Sequence, residues 1–276
     1  MKDASGTAYD SSEAAHSISN EGADAAFLII PDSQLLFSAE FKRSASDLTL
    51  IGPEAQRLNI IDYFRYEKLP DLVSPDGAVL SADIVKMLAG PLAPSQYAQA
   101  TAPAPSGQAI GKVEKLTGSP TVLRNGVVII INVGDALNKG DVIQTDSDST
   151  LGMSLLDGTA LSLSANTRMA LNEFIFDANS TTGNGGHLSL VQGAFAFVSG
   201  LVAKTGGLNV ETPVAIVGIR GTVGGASCAD AGKCEYHAAP EIAGSDVGQA
   251  STFNLLTGGT FVNGQYVEPA RLMAWS

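Results

Sequence analysis

The sequence contains little of what most catalytic or nucleic-acid-binding sites are made from. Its 276 residues include three histidines, two cysteines and one tryptophan, and aromatic residues make up only 6% of the chain. The 16 lysines and arginines are scattered among 28 acidic residues, which gives a formal net charge of −12. Because contacts to a phosphate backbone need a basic face, this balance predicts that nucleic acid is not a partner.

Long hydrophobic runs are also missing. The most apolar windows, Ala25–Pro31 and Val127–Val133, have the length of a buried strand, and none approaches the roughly 18 apolar residues of a membrane helix. Residues 1–26 show no hydrophobic segment of a secretory signal. We therefore predict no membrane-spanning segment. Three alternatives remain open: the protein is cytosolic, it is exported by a route that recognises another signal, or the sequence is part of a longer chain.

Glycine is abundant at 30 residues and charged residues are only 16% of the chain, which is typical of all-β proteins with many turns. Between Gly111 and Gly224, apolar and polar residues alternate, interrupted by short turns of Gly, Asn and Asp. Because successive side chains of a strand point to opposite faces, this alternation predicts short strands with one buried face. Such strands suit a coil of β-turns or a sandwich, and the alternation does not separate the two.

Changes of composition along the chain predict five segments. They are a disordered lead (1–26), a small β-meander with one short helix (27–91), a linker of Ala, Pro, Ser and Gln (92–108), the alternating β region (109–225), and a loop insertion with C-terminal strands (226–276). The strands predicted for the meander are Phe27–Ile30, Leu35–Phe41, Asp47–Ile51 and Leu58–Phe64. The helix is predicted at Ala82–Ala89, between Ser81 as N-cap and Gly90-Pro91. The C-terminal strands are predicted at Thr252–Leu256 and Thr260–Val267.

Cys228 and Cys234 are the two cysteines of the chain, six residues apart in Cys-Ala-Asp-Ala-Gly-Lys-Cys. A zinc site needs three or four ligands, and His237 is the only further candidate nearby. The spacing therefore favours a small loop disulfide over zinc, and such a bond forms only in an oxidising compartment. Two unpaired thiols in a surface loop are the alternative.

Arg220 is the second candidate residue, because it stands between two glycines on an apolar segment, Gly-Ile-Arg-Gly-Thr. Such an arginine either pairs with a buried carboxylate of its own chain or binds a carboxylate of a partner. We favour the structural role, since Gly218 and Gly221 permit a close approach of backbones at a strand bend.

No group of residues matches a catalytic, cofactor or metal site. His16, His187 and His237 do not lie near a serine in a strand-turn-helix context, and a pair of Cys234 with His237 lacks an orienting third group. Most carboxylates stand at turns, where they bond to local backbone, and Asp146-Ser147-Asp148 lacks the spacing of a calcium loop. We therefore predict a non-enzymatic protein.

Several motifs of the alternating region resemble the FecR domain. Thr150–Thr159 contains an Asp-Gly-Thr turn and is followed by Asn166-Thr167-Arg168. Leu188–Phe195 precedes Val210–Thr222, which resembles the closing pattern TPxAxxxxRGT. The resemblance covers about residues 110–225 and implies a twisted β-solenoid-like fold. The named FecR proteins are transmembrane signal transducers that control a sigma factor for iron uptake, whereas this chain shows neither a regulator segment ahead of the domain nor a membrane helix.

The N-terminal region resembles a different family. Phe41–Leu50, followed by Asn59–Phe64, is similar to the prefix segment of biofilm adhesins of the Bap type, although Ser44-Ala45-Ser46 replaces the usual glycine. Adhesins of this kind leave the cell by type I secretion, whose signal lies at the C-terminus. This resemblance would explain the missing N-terminal signal.

Taken together, these patterns predict a secreted or cell-surface protein of extracellular location. It would be the N-terminal part of an adhesin, or a scaffold that presents a rigid face to a protein or polysaccharide at small conformational cost. The alternative is a periplasmic FecR-type module that binds the signalling domain of a receptor and regulates a sigma factor. A hydrolase has no motif in its favour.

Overall fold

A computed structural model describes residues 15–18, 27–53, 56–92, 107–180, 182–205, 207–220, 223–230, 233–238, 252–255, 259–262 and 265–267. The chain divides into two compact units, residues 1–105 with 124–127 and residues 106–123 with 128–276. Strands predominate over helices in the described structure, so the predicted all-β class is confirmed. Apart from residues 15–18, the predicted disordered lead lies outside the described residues, as does most of the predicted linker.

Within the described residues, the first unit contains two small sheets, two α-helices and a 3-10 helix at Tyr63–Arg65. Its elements are β1 (Ala15–Ile18), β2 (Phe27–Ile29), α1 (Ser33–Ser38), β3 (Glu40–Ser44), β4 (Asp47–Ile51), β5 (Arg57–Ile60), β6 (Asp71–Val73), β7 (Val79–Leu80) and α2 (Ala82–Ala89). One sheet has the order β1-β5-β4-β3 and the other β2-β6-β7. The predicted single meander is therefore corrected, because β2 pairs in parallel with β6 instead of joining β3–β5.

Helix α1 replaces the first part of the strand predicted at Leu35–Phe41. The Asp32 side chain caps it by accepting a hydrogen bond from the N–H of Gln34 at 2.8 Å. Leu35, Leu36 and Phe37 are all buried, which three consecutive residues of a half-exposed strand could not be. Helix α2 lies where the sequence predicts it.

The second unit is built from one sheet that curls like half a barrel. The predicted β-solenoid-like fold therefore describes it only approximately. Its elements are β8 (Ala109–Thr117), β9 (Thr121–Arg124), β10 (Val127–Ile130), β11 (Ala136–Asn138), β12 (Val142–Gln144), β13 (Thr150–Leu155), β14 (Ala160–Leu163), β15 (Arg168–Ile175), β16 (Gly185–Val198), α3 (Leu201–Thr205), β17 (Leu208–Thr212), β18 (Ala215–Arg220), β19 (Val223–Asp230), β20 (Lys233–Ala238), β21 (Thr252–Leu255), β22 (Gly259–Val262) and β23 (Gln265–Val267). Helix α3 was not predicted.

Strand β16 joins two halves of this sheet. In one half, the first part of β16 pairs with β15 and β17, and in the other half, its second part pairs with β14 and β19. The strand changes partners at Gly193, whose φ is +90°. There the Thr167 hydroxyl oxygen accepts a hydrogen bond from the N–H of Ala194 at 3.1 Å. A Cβ at Gly193 would lie only 2.4 Å from that oxygen, so the position requires glycine.

The core of this unit lies between the two halves and is mostly aliphatic. In β16, the buried side chains shift by one position at the bend, from Leu188 and Leu190 before it to Phe195 and Phe197 after it. This shift keeps the apolar side chains of both parts of the strand pointing into the same core. Each of these side chains stabilises the fold by about 1.5–3 kcal/mol when it is buried.

Replacing Gly193 with alanine is expected to destabilise the protein by about 3 kcal/mol. A positive φ costs a non-glycine residue about 1 kcal/mol, and the forced contact with Thr167 adds about 2 kcal/mol more. Gly134→Ala is the matched control, because Gly134 has a φ of +92° but no atom within 4 Å of a built Cβ. Urea unfolding followed by circular dichroism measures both variants. Equal losses in the two would contradict the role given to Gly193.

Candidate protein-interaction site

The Asp-Gly-Thr turn between β13 and β14 is a buried hydrogen-bond centre. Asp157 is 5% exposed, and its Oδ1 accepts from the N–H of Thr159 at 2.9 Å. Its Oδ2 accepts from the Thr159 hydroxyl at 2.8 Å and from the N–H of Val202 at 2.9 Å. Because Val202 belongs to the first turn of α3, the Asp157 carboxylate fixes where this helix starts.

The same turn brings apolar side chains to the surface. The N–H of Gly200 donates to the Thr159 hydroxyl at 2.9 Å, and the N–H of Leu201 donates to the carbonyl of Asp157 at 3.2 Å. Leu201 and Leu156 are consequently held beside the turn with exposures of 49% and 56%.

The outer face of β13, β14, β16 and β19 continues from this turn, and we call it the bare face. Cross-strand pairing places its side chains in one layer. They are Gly152, Ser154, Ala160, Ser162, Ala194, Ala196, Val198, Val223, Gly225 and Ser227. None of them carries a charge, and Val198 and Val223 are 51% and 40% exposed. Solvated sheet faces normally carry long polar side chains, whereas the centres of protein interfaces lack charge.

Charged side chains flank the bare face on both sides. On β8, Glu114 Oε1 accepts from the Ser154 hydroxyl at 2.5 Å and lies 3.2 Å from Lys112 Nζ. These two contacts, that of Ser154 foremost, hold the pKa of Glu114 below its usual value. On β20, the side chain of Glu235 is 82% exposed. The bare face therefore has an uncharged centre with charged side chains at two of its borders, and the lack of charge at the centre is the feature that it shares with protein interfaces.

A polar cluster lies on the other half of the sheet. His187 Nε2 is 3.3 Å from Glu211 Oε2, and the Ser189 hydroxyl donates to the same oxygen at 3.1 Å. Because Ser189 bonds to the carboxylate and not to the imidazole, and is itself 2% exposed, it is not an activated nucleophile. The cluster serves to pair β16 with β17.

The structure joins Cys228 and Cys234 by a disulfide, with an S–S distance of 2.03 Å. The two cysteines lie on the paired strands β19 and β20, so this part of the chain is a hairpin and the predicted loop insertion is corrected there. On β20, the Tyr236 hydroxyl lies 2.7 Å from the Thr212 hydroxyl, which donates to the carbonyl of Ala215 at 2.8 Å. The hairpin is thereby tied to the turn between β17 and β18.

Arg220 is the last residue of β18 and pairs there with Thr252 of β21. Its side chain lies outside the described residues, so both of its predicted roles stay predictions. Within the described part of the chain, no three His, Cys, Asp or Glu side chains are grouped to hold a metal ion. No described helix is both long and apolar enough to cross a bilayer.

Sequence reasoning did not identify the bare face. The signal was present in the polar positions of the alternation, because β13, β14, β16 and β19 hold Gly, Ala and Ser at positions where Lys, Glu and Thr are usual. What the sequence does not contain is the pairing of β16 with β14 and β19, which brings these positions together.

Residues 141–238 match the family described as FecR protein. The match includes both halves of the sheet around β16, and it extends through the disulfide hairpin, beyond the end predicted at residue 225. The predicted FecR resemblance is confirmed for these residues. None of the curated proteins matches the chain.

Among solved structures, the chain is similar to two crystal structures of a "putative anti-sigma factor" from Parabacteroides distasonis. Each is 14% identical, the matched region covers 49% of this chain and 63% of that one, and the TM-score is 0.31. The chain thus spans less than two thirds of the length of that protein. At this TM-score, the likeness supports no inference about function.

The FecR match corrects the main functional prediction. The matched family consists of regulatory, non-enzymatic proteins, which favours the signalling alternative over an adhesin or a polysaccharide-binding scaffold. The predictions of biofilm adhesion and type I secretion are wrong for the same reason. Neither a Bap-type prefix nor an extracellular location is shown.

Asp157→Ala is expected to lower the free energy of unfolding by about 3 kcal/mol, because it leaves the buried donors of Thr159 and Val202 without an acceptor. Asp148→Ala is the control and should change stability by less than about 0.5 kcal/mol, since Asp148 is exposed. Urea unfolding measures both. A loss at Asp157 no larger than at Asp148 would contradict the assignment.

The disulfide predicts that protein purified without reductant does not react with maleimide and gains two alkyl groups only after reduction. Reduction should lower stability by about 2 kcal/mol, as expected for a loop this short. Mass spectrometry of the alkylated protein and urea unfolding with and without reductant provide the two measurements. Two alkyl groups added without reductant would show that the thiols are free.

Proposed function

We propose that this chain is a periplasmic FecR-type signal-transduction module, which regulates a sigma factor through contact with a partner protein. The observation that carries the proposal is the match of residues 141–238 to the FecR family. The Cys228–Cys234 disulfide supports a periplasmic location, because disulfides persist in oxidising compartments.

The bare face is the surface that we assign to the partner. Its centre contains no charge whose desolvation would oppose binding, and Val198, Val223, Leu156 and Leu201 supply exposed apolar area at one end. The side chains are short and their backbone is fixed by strand pairing, so little conformational entropy is lost on contact.

The Asp157 turn makes this surface rigid. It ties the end of β13 to the start of α3, so Leu156 and Leu201 cannot move apart without breaking the buried bonds of the carboxylate. A partner therefore meets a preformed apolar edge. Signal transfer then depends on whether the partner is bound and not on a change of fold within this unit.

A transcript comparison in the source bacterium tests the proposal. Deleting the gene should change the transcripts read by one sigma factor, and wild-type protein supplied in trans should restore them. Val198→Glu places a charge on the bare face and should fail to restore them. Ile175→Glu should restore them, because Ile175 is equally exposed, at 52%, on β15 of the other half.

Two outcomes would contradict the proposal at different levels. An unchanged transcript profile after deletion would overturn the regulatory role. Full restoration by Val198→Glu, with the regulatory role intact, would overturn the assignment of the bare face. Western blots of the periplasmic fraction confirm that each variant is present at the wild-type amount.

A further inference from the structure

Strand β20 lies at the end of its half of the sheet. In the described part of the chain, it pairs with β19 alone. The register of this pairing shifts between Ser227 and Asp230, in the stretch that contains Cys228. Because regular pairing is interrupted there, the Cys228–Cys234 bond closes the hairpin at this point.

The core is loosely packed beneath β20. Tyr236 is 9% exposed, and its hydroxyl lies 2.7 Å from that of Thr212. A narrow, partly open gap of about 200 Å³ adjoins the Tyr236 side chain and is also lined by Phe195, Val217 and Ala226. Since well-packed interiors leave few such gaps, β20 gains less from contact with the core than a closely packed strand does.

The two sulfurs of the disulfide differ in exposure. Cys228 is 2% exposed and pairs with Gly193 at the bend of β16. Cys234 is only partly buried and packs at the edge of the same core. A thiolate in solution therefore reaches the sulfur of Cys234 more readily than that of Cys228.

We propose that the disulfide is a redox switch, whose reduction releases β20 from β19 while the rest of the sheet stays folded. A thiolate of a dithiol attacks Sγ of Cys234, the Cys228–Cys234 bond breaks, and Cys228 leaves as a thiolate that takes up a proton. The second thiol of the dithiol then attacks the mixed disulfide and releases Cys234 as a thiol. The dithiol thus supplies two electrons and two protons and becomes a disulfide itself.

The length of the closed loop favours a local role for this bond. A disulfide stabilises a fold mainly by restricting the unfolded chain, and cysteines six residues apart restrict it less than distant ones would. In the folded protein, by contrast, the bond directly opposes the opening of an end strand.

Release of β20 changes the bare face, and this consequence rests on the function proposed above. Strand β19 supplies Val223, Gly225 and Ser227 to that face, and it becomes the edge of the sheet once β20 has left. Glu235 then no longer lies at the border. Because an edge strand opens more easily than one paired on both sides, the reduced protein should bind its partner more weakly.

Amide hydrogen exchange of the full chain with and without dithiothreitol tests the switch. Reduction should speed the exchange of the β20 amides that bond to β19 at least about tenfold more than it speeds that of the β16 amides. The double variant Cys228→Ala/Cys234→Ala should exchange like the reduced protein and should not respond to dithiothreitol. Mass spectrometry of the alkylated protein shows whether the bond has opened.

Two results would overturn the switch. An equal change in β20 and β16 would show that the bond contributes only to overall stability. A disulfide that excess dithiothreitol leaves intact in the folded protein would show that its sulfurs are not accessible.

The transcript comparison separates the switch from the function that it would regulate. The double cysteine variant, supplied in trans at the wild-type amount, should restore the sigma-factor transcripts less fully than the wild type. Full restoration by this variant, while Val198→Glu still fails, would overturn control of the bare face by the disulfide and leave the proposed function intact. An unchanged profile after deletion of the gene would instead overturn the proposed function.

Discussion

The bend of β16 at Gly193 is the constraint on which the second unit depends. This one strand pairs with four others, β14, β15, β17 and β19. It can do so because its backbone turns from one half of the sheet to the other at Gly193, where φ is positive. The bend also moves the apolar side chains by one position, from Leu188 and Leu190 to Phe195 and Phe197. Without this shift, one part of the strand would direct its apolar residues into water.

The same bend of β16 determines which side chains form the bare face. When β16 places Phe195 and Phe197 inside, it places Ala194, Ala196 and Val198 outside. These join the short side chains of β14 and β19 to form the bare face. The Asp157 turn then fixes one border of that face through α3. The Asp-Gly-Thr motif of the FecR resemblance is therefore structural, because its buried carboxylate holds one border of the bare face in place.

Much of this fold could be predicted from local patterns in the sequence. The alternation located most strands of the second unit, Asn125-Gly126 marked its hairpin, and the capping and stop residues located α2. Helices α1 and α3 were missed because both are short, and tertiary contacts specify them more than periodicity does. Helix α3 in particular depends on Asp157, which is far from it in sequence.

The candidate site was harder to predict from the sequence than the fold, for a physical reason. A bare face exists only after non-consecutive strands pair, and the partners of β16 cannot be read from spacing. Reading Cys228 and Cys234 as part of a loop insertion failed similarly, because their segment pairs as two strands. The shift between Leu188 and Phe195 was visible in the sequence, and together with Gly193 it could have indicated the bend.

Native-state hydrogen exchange along β16 tests the central claim most directly. If one strand joins both halves, the amides on the two sides of Gly193 should exchange with the same free energy, equal to that of global unfolding. If residues 195–198 exchange with a lower free energy than residues 186–190, the halves open separately. The account of β16 as the shared support of the sheet would then be wrong.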